Sequence, residues 1–184
     1  MALSIVTGTF PLVIKEPLTD RIFSAVTIVS PGLSTSVQSL PARDIGLGIP
    51  PSGPMDTLAF RAGNGLVGNP LEYEGLELVV PPKGAGRSSA LTFSAIFHVK
   101  AVVAVTGANA SVHIDGQEVP TWARLVVPAG AKLTIGGLRS DEEGGLRAYL
   151  LIAGGFPSIP KYLGSKSTSM GSGGYQVRWI FIRF

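Results

Sequence analysis

Short apolar runs recur along the chain, and residues that favour turns separate them. Runs of this kind are typical of β-strands, and their spacing favours a closed or sandwiched sheet over alternating strands and helices. Asp115-Gly116 is a good two-residue hairpin turn between two of them. The predicted strands are Val26–Ser30, Leu76–Val80, Ala90–Phe97, Val99–Val105, Ser111–Ile114, Arg124–Val127, Lys132–Ile135 and Leu146–Ile152.

One segment, from Asp56 to about Val67, has helical periodicity. Asp56 is a good N-cap, because its carboxylate can accept a hydrogen bond from a backbone N–H of the first turn. Gly63 and Gly65 each cost about 1 kcal/mol relative to alanine in a helix, so we expect the last turn to fray. The apolar face that we expect to be buried consists of Leu58, Ala59, Ala62 and Leu66.

Composition narrows the class of protein. A chain of 184 residues with 45% hydrophobic content is expected to form one domain with a core. The absence of cysteine excludes disulfides and thiolate nucleophiles, and it fits a reducing compartment, so we expect a cytoplasmic protein. The net charge of +3 is spread over scattered basic residues, so no nucleic-acid partner is expected. No run is long enough to span a bilayer, and the first ten residues do not resemble a signal peptide, so no membrane partner is expected.

The stretch 48–79 concentrates proline and glycine, which hold the backbone in one shape. It reads as a rigid turn, a short helix closed by Gly68-Asn69-Pro70, and the start of a buried strand. A loop whose backbone is this restricted usually presents binding or catalytic groups. Together with three further motifs it forms an ordered set: Ser30–Gln38, Gly48–Val79, Val103–Ala108, and Gly154–Phe156 with Tyr162–Thr168.

These motifs resemble the carboxyltransferase domain of urea carboxylase and urea amidolyase, the allophanate hydrolase subunit 2 family. Four motifs in the family's order are more specific than one, and they cover roughly residues 26–176. The resemblance implies a mainly β fold, a cyclophilin-like β-barrel with one short helix. Residues 1–25 are left unassigned, and residues 177–184 form a tail unlike the family.

Beyond Gln176 the family normally continues with further strands, whereas here a short apolar tail follows. We therefore expect a truncated product that carries the N-terminal part of the domain and an incomplete barrel. Whether this polypeptide alone is an enzyme is left open.

The resemblance implies transfer of a carboxyl group from carboxybiotin to urea or a related amide. No lysine lies between methionines, as a biotin attachment site would have it, so biotin is expected on another domain or chain. The implied partners are biotin carboxylase and biotin carrier domains, or the partner subunit of the same family, together with a small amide substrate.

Two residues are candidate catalytic groups in this setting. The Asn64 amide can donate and accept at once, which suits orientation of a urea-like acceptor, and a local structural role is an equal alternative. Lys166 lies in a Gly-bounded loop and is a candidate cation for a carboxylate, with an exposed surface lysine as the alternative. The candidate substrate-binding residues are Gln38, Ser52, Gly53, Pro54, Met55, Thr106, Gly107, Tyr162, Ser165, Ser167 and Thr168.

Other charged residues are interpreted structurally. Glu74 is expected to bind a loop amide, and Glu77 is expected to face solvent. His98 and His113 alternate with apolar neighbours in predicted strands and have no carboxylate motif nearby, so no metal site is predicted.

Two other functions stay open. Related family members serve an ATP-dependent 5-oxoprolinase without biotin, so this chain could be one subunit of such an enzyme. It could also be a non-catalytic β-domain that binds or regulates a partner. An adjacent gene for a biotin carboxylase would favour carboxyl transfer, and an adjacent 5-oxoprolinase-type partner would favour the second function.

Overall fold

The computed structural model describes residues 25–43, 51–84, 91–140 and 145–168, and the backbone of 181–182. The rest of the N-terminal segment, the start of the strand predicted from Ala90, and the rest of the predicted tail lie outside the described residues. One helix, α1, spans Thr57–Val67. The strands are β1 (Val26–Pro31), β2 (Ser34–Gln38), β3 (Gly75–Val79), β4 (Phe93–Phe97), β5 (Ala101–Gly107), β6 (Ala110–Ile114), β7 (Gln117–Val119), β8 (Leu125–Val127), β9 (Lys132–Leu138), β10 (Arg147–Ile152) and β11 (Phe181–Ile182).

Each predicted strand has a counterpart whose ends differ by a few residues, and the mainly β class with one helix is confirmed. The hairpin at Asp115-Gly116 is formed, with φ values of +48° and +82° that suit its two central positions. Two short polar strands, β2 and β7, are not among the predicted strands. Both lie at sheet edges, where one face and one side of a strand can be solvated, so no apolar run marks them.

The strands form two antiparallel sheets. One has six strands in the order β11-β1-β4-β9-β6-β7, and the other has five in the order β2-β3-β10-β5-β8. In the part of the chain that the structure describes, no strand of one sheet pairs with a strand of the other. The two sheets are therefore not closed into the barrel that the resemblance implied.

The main core lies between the two sheets. It combines Ile28, Phe97 and Leu133 of the six-stranded sheet with Leu78 and Leu150 of the five-stranded sheet, all 2% exposed or less. Burial of apolar side chains from both sheets holds the two layers together.

A second apolar cluster lies on the other face of the five-stranded sheet, under α1. Along β10, Leu150 faces the main core while Tyr149 and Leu151 face the helix. Because β10 is buried on both faces, its sequence is a continuous apolar run rather than an alternating one.

Helix α1 begins as predicted. The Asp56 carboxylate accepts a hydrogen bond from the Ala59 N–H at 3.0 Å, and Gly68 ends the helix with a φ of +82°. Gly68 donates its backbone N–H to helix carbonyls, which satisfies groups left without partners in the last turn. The helix continues regularly through Gly63 and Gly65.

The predicted helix face is right for Ala59 and wrong for Leu58, Ala62 and Leu66. The residues buried against the sheet are Ala59, Phe60, Gly63, Asn64 and Val67. Leu58 is instead 77% exposed, and Ala62 and Leu66 are only partly buried. The physical reason is close approach: a Cβ on Gly63 would lie 2.3 Å from the Leu151 Cδ2, so the helix turns its smallest residue toward the sheet.

Candidate functional site

The segment that leaves β2 contacts two loops that are distant in sequence. We call residues 51–56 the proline loop and residues 162–168 the serine loop. Gln38, at the end of β2, accepts a hydrogen bond on Oε1 from the Gly53 N–H at 3.0 Å, and its Nε2 donates to the Ser36 Oγ at 2.9 Å. Gln38 thus fixes the proline loop against the strand edge.

Arg43 touches both loops. Its backbone N–H donates to the Ser52 Oγ, and its carbonyl accepts from the Ser52 N–H, each at 3.0 Å. Its side chain donates from Nε to the Tyr162 carbonyl at 3.2 Å and from Nη2 to the Ser167 carbonyl at 3.0 Å. The guanidinium carbon lies 4.9 Å from the centre of the Tyr162 ring, within the range of a cation–π contact.

The serine loop runs along the free edge of β2. Thr168 donates its N–H to the Val37 carbonyl at 2.7 Å, and Ser39 donates its N–H to the Ser167 Oγ at 2.9 Å. The Ser165 Oγ accepts from the Ser167 N–H at 3.1 Å and lies 3.4 Å from the Ser39 Oγ. The hydroxyls of Ser165 and Ser167 therefore serve to build the loop, and both residues are 2% exposed.

A tight turn begins the serine loop. Tyr162 and Ser165 exchange backbone hydrogen bonds of 2.8 and 3.2 Å. The two residues between them, Leu163 and Gly164, have φ values of +49° and +83°. Two left-handed central residues are typical of a type I′ turn, which reverses the chain in the least space.

Lys166 is held by an ion pair. Its Nζ lies 2.5 Å from the Glu74 Oε1 and 3.3 Å from the Phe156 carbonyl oxygen, and its side chain is 14% exposed. The Glu74 Oε2 in turn accepts from the Phe156 N–H at 3.1 Å, which confirms the expectation that Glu74 binds a loop amide. An ammonium group has three N–H donors, so one remains for a further acceptor.

A surface pocket of about 230 Å³ opens beside Lys166. Its polar walls bring two lysines and two glutamates close together, and Tyr73 adds an aromatic face that is 40% exposed. A second cavity, near Phe93 and Leu78, has room for only about 10 Å³, the space of a single water. The larger pocket is lined by Ser39, Leu40, Pro70, Glu72, Tyr73, Glu74, Lys161, Gly164 and Lys166.

The proline loop ends in a separate buried network. The Met55 N–H donates to the Glu77 Oε2 at 2.8 Å, and the Asp56 N–H donates to the Tyr149 hydroxyl oxygen at 2.7 Å. Tyr149 donates its own proton to the Glu77 Oε2 at 3.0 Å, and Arg147 lies 3.6 Å from the other oxygen. The expectation that Glu77 faces solvent is wrong: it is 7% exposed, because these donors compensate its burial.

Tyr149 is neutral in this network. Burial away from water raises the pKa of its hydroxyl well above the usual range; the hydrogen bond from the Asp56 N–H opposes that change, and the Glu77 carboxylate adds to it. Tyr149 therefore donates to Glu77 throughout the physiological pH range.

Two of the predicted site residues, Asn64 and Thr106, are 0% exposed. Asn64 is fully buried; its Nδ2 donates to the Tyr73 carbonyl at 3.0 Å, and its Oδ1 accepts from the Asn69 Nδ2 at 2.9 Å. Thr106 is fully buried under α1 and donates to the Ala59 carbonyl at 2.7 Å. Asn64 thus supports the connection that carries Tyr73 to the pocket, whereas Thr106 ties β5 to the helix.

The remaining predicted residues lie at the end of β5 and in the proline loop. Gly107 ends β5, where a Cβ would lie 2.4 Å from the Arg147 carbonyl oxygen, and it does not line the pocket. In the proline loop Pro54 is buried and Met55 is 72% exposed. Among the described residues, no member of the proline loop lines the Lys166 pocket. The two loops share Arg43 and the β2 exit rather than a cavity.

Sequence reasoning missed three residues that organise this region: Arg43, Ser39 and Tyr149. Tyr149 looks like any strand residue, and Ser39 like any turn residue. Arg43 has a weak signal, since it is an isolated cation between two stretches rich in proline and glycine. Their roles depend on partners more than 90 residues away, which no local pattern displays.

The described ranges contain no group of three or more His, Cys, Asp or Glu residues placed to hold a metal ion. The exposed His98 shares a 2.8 Å hydrogen bond with the Thr27 hydroxyl. The same ranges form no helix with the length and apolar character needed to cross a membrane.

The chain is similar to parts of longer known proteins. The urea amidolyase of Saccharomyces cerevisiae is 41% identical over 160 residues, which are 84% of this chain and 8% of the yeast protein. A 5-oxoprolinase subunit of Escherichia coli is 33% identical over 135 residues, which are 72% of this chain and 39% of that protein. The crystal structure of the K. lactis urea amidolyase matches with a TM-score of 0.68 at 34% identity and covers 81% of this chain and 8% of that one.

The family described as the carboxyltransferase domain, subdomain A and B, matches residues 47–180. This match covers most of the chain, and it includes the proline loop, the helix and the serine loop. The protein therefore belongs to the carboxyltransferase domain family.

Proposed function

We propose that this chain is part of a urea carboxylase-type carboxyltransferase and helps to move a carboxyl group from carboxybiotin to urea or a related small amide. The observation that carries the proposal is the pocket beside Lys166, where a partly buried ion pair fixes an ammonium group with one donor to spare. A volume of about 230 Å³ is smaller than a typical drug-sized site and suits a small, planar amide.

The remaining N–H donor of Lys166 suits a neutral oxygen as its acceptor. Glu74 already balances the Lys166 charge, so the remaining N–H is suited to the oxygen of an amide or of a ureido ring rather than to an unpaired carboxylate. Lys161, which also lines the pocket, is exposed and is the better candidate to meet a carboxylate. Carboxybiotin, delivered by another domain or chain, would supply the carboxyl group.

The chain's own residues supply fixed positions and charge. In this proposal Lys166 stabilises negative charge that develops on an amide oxygen, because its ammonium is held in place before the reaction starts. Tyr73 offers a flat wall against which a planar amide can stack. Asn64 acts through Tyr73 as a positioning residue. Met55 is exposed in the proline loop, outside the pocket lining, and stays a candidate for contact with the carboxybiotin ring.

The other predicted binding residues act through the loops that they build. The proline loop is kept in its conformation by Gln38, Ser52, Gly53 and Pro54. The serine loop is kept in its conformation by Tyr162, Ser165, Ser167 and Thr168. Thr106 and Gly107 position α1 and the end of β5. The partners would be biotin carboxylase and carrier domains, in the cytoplasm, a setting that suits a chain without cysteine.

The test is carboxyl transfer with added biotin carboxylase, biotinylated carrier, ATP and labelled bicarbonate. We expect urea-dependent formation of a labelled product, and we expect Lys166→Ala to lower its rate by about a hundredfold. Lys100→Ala, which removes an exposed lysine outside the pocket, is the matched control and should retain the wild-type rate. Transfer that is equally fast in Lys166→Ala would contradict the proposal.

The second candidate function is that of a 5-oxoprolinase subunit. The similarity to the Escherichia coli 5-oxoprolinase subunit favours it, since that alignment covers 72% of this chain. The same pocket would then hold 5-oxoproline, whose ring is a small cyclic amide with a carboxylate, and Lys161 would be its cation. ATP-dependent turnover of 5-oxoproline with partner subunits, together with no urea-dependent carboxylation, would select this function.

A further inference from the structure

Arg43 is a buried cation without a carboxylate partner among the described residues. It is 1% exposed, its Nε and Nη2 donate to neutral backbone carbonyls, and its buried Nη1 has no hydrogen-bond partner within the part of the chain that the structure describes. A buried charge is costly unless it is paired, and apolar side chains of similar volume often stabilise a fold at least as well as buried ionic groups do. Stability alone therefore does not explain an arginine at this position.

The contacts of Arg43 are divided between the two loops. Its backbone forms a reciprocal pair of hydrogen bonds with Ser52 in the proline loop. Its guanidinium holds the serine loop at both ends, through the carbonyls of Tyr162 and Ser167, and lies under the Tyr162 ring. Lys166 lies between those two carbonyls in sequence, so a shift of either one would move its backbone.

We propose that Arg43 is a positioning residue that couples the proline loop to the serine loop and thereby sets the place of Lys166. The catalytic consequence, but not the coupling itself, rests on the proposed function. The planar guanidinium can reach two carbonyls in different directions at once, whereas a lysine ammonium is a compact charge at the end of a flexible chain. Arg43→Lys should therefore retain the charge and lose the two-point hold.

The first measurement is amide hydrogen exchange on the full 184-residue chain. We expect Arg43→Lys and Arg43→Met to speed exchange at Ser52 and at Lys166 by about tenfold or more, because both loops open locally, while the core amide of Leu150 is unchanged. Arg139→Met is the matched control. It removes a guanidinium that pairs with Glu118 in the other sheet, and it should change neither loop.

The second measurement is the carboxyl-transfer assay, with rates expressed per folded molecule. We expect Arg43→Lys to lower kcat about tenfold with a much smaller change in KM for urea, since the acceptor pocket persists while Lys166 is misplaced. A residue that matters only for folding would change the folded fraction and leave this kcat unchanged. If Arg43→Met does not fold by circular dichroism, Arg43→Lys decides both measurements.

The outcomes separate the two claims. The coupling would be overturned if exchange became faster in one loop only or in neither loop. It would also be overturned if Arg139→Met changed exchange to the same extent. Faster exchange in both loops with an unchanged kcat for Arg43→Lys would overturn its role in positioning Lys166. If the wild-type chain transfers no carboxyl group, the proposed function fails, and the exchange data still decide whether Arg43 couples the loops.

Discussion

At the scale of single residues, the serine loop contains a strained backbone conformation that hydrogen bonds from neighbouring segments hold in place. Leu163 adopts a left-handed backbone conformation with a φ of +49°, which costs a residue with a Cβ about 1–2 kcal/mol. Its side chain is 46% exposed, so packing offsets little of that cost. The hydrogen bonds that Arg43 and Ser39 make with this loop over-determine its shape, and strain of this kind persists where the surroundings hold it.

This strain predicts a stabilising substitution. Leu163→Asn should raise the free energy of unfolding by about 0.5–1 kcal/mol, because asparagine tolerates the left-handed region. The neighbouring Gly164→Ala is the converse variant: nothing lies within 4 Å of its added Cβ, yet a φ of +83° should make it destabilising by about 1 kcal/mol. Urea unfolding at neutral pH measures both. A less stable Leu163→Asn would contradict the argument.

At the scale of elements, the helix and the five-stranded sheet fit through one small residue. Gly63 faces the sheet, and its neighbours there are Leu151 and Thr106. Phe60 packs edge-on against Tyr149, with ring centroids 5.7 Å apart at 83°. Because α1 packs close to the sheet, the backbone N–H of Asp56 at its start reaches the Tyr149 hydroxyl. The packing of α1 therefore also fixes the end of the proline loop.

Two glycine substitutions in α1 should have opposite effects. Gly65→Ala should stabilise the protein by about 1 kcal/mol, since its nearest neighbour, Leu71 Cδ2, is 3.7 Å away and helix propensity alone decides. Gly63→Ala gains the same propensity, but its Cβ would lie 2.3 Å from the Leu151 Cδ2 and 2.8 Å from the Thr106 Oγ1. Overpacking typically costs about 1–3 kcal/mol, so we expect net destabilisation of about 1 kcal/mol.

Thermal unfolding monitored by circular dichroism measures the pair. The expected sign is a higher Tm for Gly65→Ala and a lower Tm for Gly63→Ala. Equal stabilisation by both alanines would show that the helix can move away from the sheet without loss.

At the scale of the whole molecule, the five-stranded sheet is the central layer. Its inner face joins the main core and its outer face carries α1, so Tyr149 is enclosed by elements far apart in sequence. The Glu77–Tyr149 pair then links the sheet, the helix start and the proline loop. Ionisation of Tyr149 should therefore change the stability of the entire fold.

This linkage predicts a loss of stability at alkaline pH. An unfolded tyrosine ionises near pH 10, whereas folded Tyr149 holds its proton to a higher pH because its pKa is raised. Between the two pKa values the folded state binds more protons, so the free energy of unfolding falls as pH rises above about 10; below that pH the contribution is fully present.

The comparison that tests it is urea unfolding of the wild type and of Tyr149→Phe between about pH 9 and pH 11. Other groups titrate in both proteins, so the informative quantity is the difference between their slopes. We expect the wild type to lose stability more steeply. Parallel pH profiles would show that Tyr149 does not carry this dependence.

Local features are readable from the sequence. Asp56 caps the helix because a carboxylate two or three residues before free N–H groups needs no distant partner. The hairpin at Asp115-Gly116 follows from backbone preference alone. The solvent-facing position expected for Glu77 is wrong, because its burial depends on donors from Met55 and Tyr149, which arrive from other parts of the chain.

Taken by itself, the sequence determined the strand-rich class, one helix with its cap, the family, the proline loop and the loop that carries Lys166. These properties follow from local periodicity, turn preference and ordered motifs, each encoded within a few neighbouring residues. Only the tertiary structure decided which face α1 buries, that the described strands form two separate sheets, and that Lys166 is paired with Glu74. It also decided that Arg43 lies between the loops, since burial and pairing are properties of side chains brought together from distant segments.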